Sequence, residues 1–200
     1  MKVRPQTDER AGFDERLRLA PVTGSVRGLP FEGVMRVLRQ HLNDAHITDL
    51  LTQTELGVTT IKRMNKYPLK QFIAFEREAA ERVASDTFPF EEAVFTMGAA
   101  AIDLFFESIA GRTMKMLAGD EPHRLLSNVP NGYDVLVSFG ERSYEKVNAT
   151  SGIFRFGDEY LGPLHTTGVF DAGLRAVFNV DAQFDLVQSS ASTFTLEIAW

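Results

Sequence analysis

The sequence predicts an α+β fold: a helical part of about six helices, packed on a C-terminal antiparallel sheet of about four strands that carries one more helix. Three observations predict it. Apolar residues recur at helical spacing as far as Val129. Beyond Pro130-Asn131-Gly132, apolar and polar residues alternate with period two. Pro30, Pro68, Pro89, Pro122 and Pro163 each stand where a helix would open, since a first-turn residue needs no N–H.

Residues 1–27 are polar, carry Pro5 and Pro21, and read as a flexible N-terminal arm with a short helical turn from Phe13 to Leu19. Phe31, Val34, Met35, Leu38 and Leu42 then mark a helix over 30–42. Ile47, Leu50, Leu51 and Leu56 mark a second, stopped by Gly57. Pro68 opens a third with Phe72, Phe75, Ala79 and Val83 inward and Glu76, Arg77, Glu78, Glu81 and Arg82 outward. The fourth, from Phe90, has Glu91 and Glu92 in its first turn and is apolar almost all round from Ala93 to Phe106, which makes it the central buried helix. Two more helices follow, over 108–117 and 122–129.

Tyr133, Val135, Val137 and Phe139 alternate as a first strand, and Ser143 to Ala149 as its partner. Pro163 opens the last helix, with Val169, Phe170, Leu174, Val177 and Phe178 inward. Phe184 and Leu186, then Phe194, Leu196 and Ile198, make two closing strands around the turn Gln188 to Ser192. The sixteen phenylalanines crowd the central helices and the elements that would cover them. The chain beyond the arm therefore reads as a single domain, 28–200, with a helical part at 28–130 and a sheet part at 131–200.

Composition excludes several chemistries. With no cysteine there is no disulfide framework, thiolate metal site or cysteine nucleophile. The net charge of -6 argues against general binding to nucleic acid or anionic membrane. Residues 1–70 hold twelve Lys or Arg against eight Asp or Glu, a balance of +4; the remainder holds nine against nineteen, a balance of -10. Lys62, Arg63, Lys66 and Lys70 form an anion or partner patch within the basic third, or a solvated loop. No apolar leader opens the chain and no apolar run reaches the roughly twenty residues of a membrane span, so a cytoplasmic protein is expected.

No nucleophile elbow, phosphate loop or dinucleotide fingerprint is present. His41 and His46 are five apart, off the spacing that would put both on one metal. Asp103, the one charge on the apolar helix, either reaches solvent or pairs with Arg112. The small residues from Met97 to Ala101 let another helix, or a flat ligand, come close.

Two resemblances add to this reading. Gly28-Leu29, Tyr67-Pro68, Phe72 and Phe75, Phe88-Pro89, Glu91-Glu92-Ala93, Gly98, Gly111-Arg112-Thr113-Met114, Ala172-Gly173-Leu174 and the ending Ile198-Ala199-Trp200 follow one another in an order that resembles an uncharacterised myxobacterial family of about 200-residue proteins. That resemblance spans roughly residues 26–200 and implies one integrated unit, with no activity to transfer. More distantly, the layout resembles haem-based nitric-oxide and oxygen-binding sensor domains and vinyl-reductase-type small-ligand domains. It implies a histidine near His123 on a short helix as an iron ligand. The Tyr-x-Ser-x-Arg signature that grips the haem propionates in those sensors is missing: Tyr133, Tyr144 and Tyr160 lack the Ser and Arg.

The leading reading is a non-enzymatic ligand-sensing or protein-interaction module with no cofactor. Its apolar pocket would lie between helices and sheet, lined by Phe72, Phe75, Met97, Phe105, Phe106 and Arg112. The partner would be a small apolar ligand or a protein, and self-association is left open. The alternative is a haem or tetrapyrrole-binding sensor, in which His123 is the only metal ligand. An enzyme would need Asp103, Arg112 and His123 to converge, and a nucleic-acid regulator would act through the four-residue basic patch.

Overall fold

The computed structural model describes residues 8–54, 56, 58 and 60–200. The expected helix stop at Gly57 and the first seven residues of the expected arm lie outside them. From Asp8 onward the arm is built into the fold. The Asp8 carboxylate accepts the Arg10 N–H at 2.9 Å, satisfying one of the unpaired amides at the start of α1 (Glu9–Leu19). Phe13 and Arg16 of α1 are fully buried, Phe13 edge-on to Phe90 with ring centroids 5.8 Å apart. The helical turn expected over Phe13 to Leu19 is the second half of this helix.

Three further helices follow the expected stripes: α2 (Gly28–His41), α3 (Asp44–Gln53) and α4 (Leu69–Val83). A small ladder not foreseen, β1 (Ser25–Arg27) against β2 (Lys66–Pro68), pairs Val26 with Tyr67 and pins the basic segment between α3 and α4. Three-residue strands are too short to show a period. Glu76 corrects its expected outward place: it is 1% exposed. It stands four residues after Phe72 and three before Ala79, which is the buried stripe itself.

The central helix is α5 (Phe90–Glu107), and its most extensive packing is against α8 (Pro163–Phe178). Small residues allow this. A Cβ on Gly98 would fall inside the carbonyl of His165, and one on Gly168 inside the carbonyl of Phe95. On the opposite side Gly33 of α2 lies against Ala101, where a Cβ would come within 2.7 Å of the backbone nitrogen. The small run from Met97 to Ala101 is thus a helix-packing surface. After an 89° bend, α6 (Ile109–Ala118) is capped by Ser108, whose hydroxyl accepts the Gly111 N–H at 3.0 Å.

The segment expected as a strand at 133–139 is helical as far as Leu136. α7 (Pro122–Leu136) runs straight through Pro130, so the helical part extends beyond the boundary expected at 130 and contains seven helices among the described residues. Leu125, Leu126, Val129, Tyr133 and Leu136 recur at three- and four-residue steps along one face. That buried stripe overrides both the turn chemistry of Pro130-Asn131-Gly132 and the roughly 3 kcal/mol cost of an interior proline. Of the alternating residues Val135 is exposed, its inward place is taken by Leu136, and only Val137 pairs as strand, in a single bridge to Val26.

Four strands do form the sheet: β3 (Glu141–Asn148), β4 (Ser151–Gly157), β5 (Gln183–Gln188) and β6 (Phe194–Ala199), in the order β3-β4-β6-β5, every pair antiparallel. The true hairpin partner of β3 is the segment around Ile153 to Phe156. Phe154 and Phe156 of β4, opposite Leu196 and Phe194 of β6, point to the inner face with Phe184 and Leu186. Phe170 of α8 covers them, 4.9 Å from the Phe154 ring. The phenylalanines accordingly divide between a helical core around Phe13, Phe31, Phe72, Phe75 and Phe90 and a sheet core around Phe154, Phe156, Phe170 and Phe194. α8 contributes to both, with Leu164 in the first and Phe170 and Leu174 in the second.

No single helix among the described residues is long and apolar enough to cross a membrane.

Because both atoms at the α5–α8 contact are backbone, neither can turn away. Gly98→Ala is expected to destabilise the protein by about 3 kcal/mol or more, at the upper end of overpacking costs. Urea unfolding checks this; a loss below about 1 kcal/mol would show that the helices can separate without penalty.

Candidate functional site

Where the last turns of α5 meet α7 and α8, the side chains leave a cavity of about 70 Å³. Ala101, Ile102, Phe105 and Phe106 of α5 form one wall. Leu125, Leu126, Val129 and Leu136 of α7 form another, and Val169, Phe170, Gly173 and Leu174 of α8 a third. Leu29 and Met114 line it as well. Of the lining side chains only Tyr133 and His165 carry a polar group. A space lined this way suits apolar guests.

Charges lie directly behind that wall. The His165 ring is 1% exposed, and its Nδ1 is 2.5 Å from Oε1 of Glu76, also 1% exposed. Arg142, beneath Tyr133, stacks its guanidinium 4.2 Å from the Tyr133 ring centre and donates to Glu159 from Nε at 2.9 Å and from Nη2 at 2.5 Å. The other Glu159 oxygen accepts the Leu161 N–H at 3.1 Å. This fixes the turn between β4 and α8, in which Asp158 and Gly162 adopt left-handed backbone. Against Gly162 lies the third pair, Arg16 and Glu9, 2.6 Å apart and fully enclosed. A Cβ at Gly162 would come within 2.5 Å of the Arg16 guanidinium carbon.

Burial pushes the Glu9 carboxyl above the usual carboxylate range, against the pull of Arg16, and the charges of Glu76 and Glu91 push the same way. Burial likewise raises the Tyr133 phenol far above its ordinary value, helped by Glu159 and opposed by Arg142.

The residues expected at the pocket are divided. Phe105 and Phe106 line the cavity. Phe72, Phe75 and Met97 lie instead in the helical core, packed against Phe31 and its neighbours, because the α5–α8 contact at Gly98 closes any gap beside them. Arg112 is exposed on α6 and donates to the carbonyl of Glu107, away from the cavity. Asp103 is exposed and reaches solvent.

His123 is neither at the cavity nor free on the surface. It ties α7 to the sheet, with Nδ1 2.5 Å from the Tyr144 hydroxyl, Nε2 3.1 Å from the Ala149 carbonyl, and its ring edge-on to Trp200. Among the described residues Asp103, Arg112 and His123 therefore have no common partner and do not meet at one site.

In the basic segment Arg63 pairs with Glu32 at 2.7 Å, while Lys62 and Lys66 are exposed and Lys70 is half-buried on α4. Among the described residues no group of three His, Cys, Asp or Glu side chains is arranged to hold a metal ion.

Two site features escape sequence reasoning. The α7 wall was hidden by the strand reading of 133–139, although its three- and four-residue spacing was present. The buried partners Glu9, Arg16, Glu76, Arg142 and Glu159 are charged residues drawn from four distant segments, and only Glu76, on the apolar stripe of α4, carried a readable signal.

A family model covering residues 22–200 matches the chain. The chain belongs to the DUF2378 family, described as proteins of unknown function. No curated protein matched it. Solved structures do share its fold. A mutant H-NOX protein from K. algicida, in the unliganded Fe(II) form, is similar over 86% of this chain and 95% of that one, with 12% identity and a TM-score of 0.69. An H-NOX protein from S. oneidensis in the Fe(II)NO ligation state matches over 86% and 97%, at 12% identity and a TM-score of 0.69. A structure described as "Modulating Heme Redox Potential Through Protein-Induced Porphyrin Distortion" matches over 87% and 99%, at 11% identity and a TM-score of 0.64. At these identities the likeness is one of fold. This DUF2378 protein thus has the H-NOX architecture, helices first and an antiparallel sheet after.

Gly173 of α8 gives the cavity a gentle probe. A Cβ there would stand 3.7 Å from Ile102, an ordinary contact. In this DUF2378 chain Gly173→Ala is expected to stabilise by about 0.5–1 kcal/mol, from helix propensity, while narrowing the cavity. Thermal unfolding reads the gain; a lower Tm would mean that the space beside Ile102 is already filled.

Proposed function

We propose that the chain is a non-enzymatic regulatory module that uses the H-NOX fold to sense a small apolar ligand in the cavity between α5, α7 and α8. The observation that carries this reading is the cavity itself, about 70 Å³ and apolar but for Tyr133 and His165, with buried charges fixed behind it. One water needs about 10–15 Å³ on the same measure, and a dry cavity near 150 Å³ holds benzene or xenon. A space between these limits suits a diatomic gas, a noble-gas atom or a very short hydrocarbon.

Haem binding is the second reading, favoured by the fold shared with H-NOX proteins. The side chains do not fit it. Pockets for larger organic ligands run to roughly 300–1,000 Å³, several times the cavity. His123 is absent from the cavity lining and both its ring nitrogens have partners. His165 does reach the cavity, with its Nδ1 held by Glu76 as the second nitrogen of a metal-bound imidazole commonly is, so the misfit lies in space and charge. The buried guanidinium groups that could hold propionates, Arg16 and Arg142, are already matched by Glu9 and Glu159. These pairs put carboxylates of the chain itself where an anionic cofactor would need cations.

One sample decides between the readings. In methyl-labelled full-length protein under xenon pressure, the resonances of Leu125, Leu126 and Val129 are expected to shift saturably while those of the β4–β6 core do not. Added haem is expected to give no stoichiometric Soret band. A one-to-one haem complex with a sharp Soret band supports the second reading, and a protein silent to both rejects the ligand cavity.

A further inference from the structure

One side of the cavity is built differently from the rest. α5, α7 and α8 each give it several side chains, whereas α6 gives only Met114. α6 is fixed near both ends by small residues. A Cβ on Gly111 would fall 2.1 Å from the Phe105 carbonyl oxygen, and Ala118 is fully buried in the sheet core. Between them Thr113, Met116 and Leu117 are exposed, while Met114 is half-buried and lines the cavity. The end of the Met114 side chain rests on α7. A Cβ on Gly132 would come within 2.8 Å of the Met114 methyl and 3.9 Å of the tip of the Phe105 ring. The thioether arm therefore reaches from α6 to the place where α7 faces α5, and its seat exists because residue 132 has no side chain.

We infer that Met114 is the door of the cavity: a guest passes between α6 and α7 when the Met114 arm lifts from Gly132, while α6 itself stays in place. The inference rests on the cavity being the sensing site. Three features single Met114 out. It touches both the cavity and solvent, so the movement of one side chain joins the two. It is unbranched, with three rotatable bonds, and can swing without moving its helix. It rests on a glycine, so no side chain of α7 interlocks with its end. Ile102, Val129, Leu136 and Val169 are also half-buried lining residues. Each of them is branched and stands among other lining residues of its own helix, and in a close-packed wall such a side chain turns only by displacing its neighbours.

Saturation-transfer NMR with xenon on the full-length protein measures how fast the guest leaves. Met114→Ala removes the arm, and xenon is expected to leave roughly tenfold faster, because the contacts that hold the door shut are gone. Leu126→Ala enlarges the same cavity from a wall residue that is 1% exposed. It is expected to change the exit rate by less than about threefold, since it opens no path to solvent. A clear difference between the two variants supports the door; equal rates, or a larger rise in Leu126→Ala, overturn it. Should Met114→Ala not fold, Met114→Leu nearly conserves volume but does not reach Gly132; faster exit supports the inference and an unchanged rate overturns it. Should Leu126→Ala not fold, Ile102→Val takes its place as control. Failure of the sensing reading has a separate signature. If neither the wild type nor any variant takes up xenon, cavity and door fall together, whereas uptake with equal exit rates removes the door alone.

Discussion

The fold is organised by the distance at which α5 and α8 pass each other. Gly98 rests on the carbonyl of His165 and Gly168 on that of Phe95, so the two helices meet backbone to backbone. A contact of this kind cannot be adjusted by rotating a side chain, and it fixes α8 as the plate between the helical core and the sheet core. It also fixes where space remains. At the glycines nothing fits between the helices. Nearer the end of α5 the lining changes to Ile102, Phe105 and Phe106, which cannot interdigitate as closely, and the cavity opens there against α7.

The same contact explains the three buried ion pairs around it. Three pairs, Arg16–Glu9, Arg142–Glu159 and His165–Glu76, are nearly or fully enclosed. Such pairs are weak sources of net stability, because desolvation offsets most of the attraction. Their geometry does something apolar packing would not. Arg142 takes carbonyl oxygens from the turn before β3 as well as the Glu159 carboxylate, and Glu159 in turn takes a backbone N–H. The turn into α8 is thereby set to one conformation, which aims His165 at once toward the cavity and toward Glu76. Arg16 brings α1 to the same turn at Gly162.

How far this was legible follows from which residues carried periodic information. The stripes of α2 and α4, the apolar sweep of α5 and the alternation of β5 and β6 are local patterns, and each element formed as its spacing required. Pro130-Asn131-Gly132 was misread because turn propensity and period conflicted, and the period of Leu125, Val129, Tyr133 and Leu136 prevailed through burial. α1 was obscure for a different reason. Its inward face carries Glu9 and Arg16 beside Phe13, and a charged residue announces burial only once its partner is known. The pocket expected around Phe72, Phe75 and Met97 failed on the same ground: large aromatic residues mark a core, but only the glycine contact decides which part of that core is filled.

Sharing an architecture with H-NOX domains does not fix what the interior holds; the side chains around it set what fits there. A tetrapyrrole makes three demands of such an interior: a large flat space, an axial base with one ring nitrogen facing it, and cations for its acidic groups. The space between α5, α7 and α8 is a small fraction of that size. His123, at the sheet, has both ring nitrogens engaged, whereas His165, at the wall, has its Nδ1 on Glu76, as a metal-bound imidazole commonly does. The buried cations are neutralised internally. Turning Arg16 or Arg142 toward an acidic guest would leave Glu9 or Glu159 buried without a partner, a cost of several kcal/mol for each charge. The carboxylates thus do more than fill space. They supply the counter-charges of Arg16 and Arg142 from within the fold, so an acidic guest would have to displace a carboxylate to reach either guanidinium.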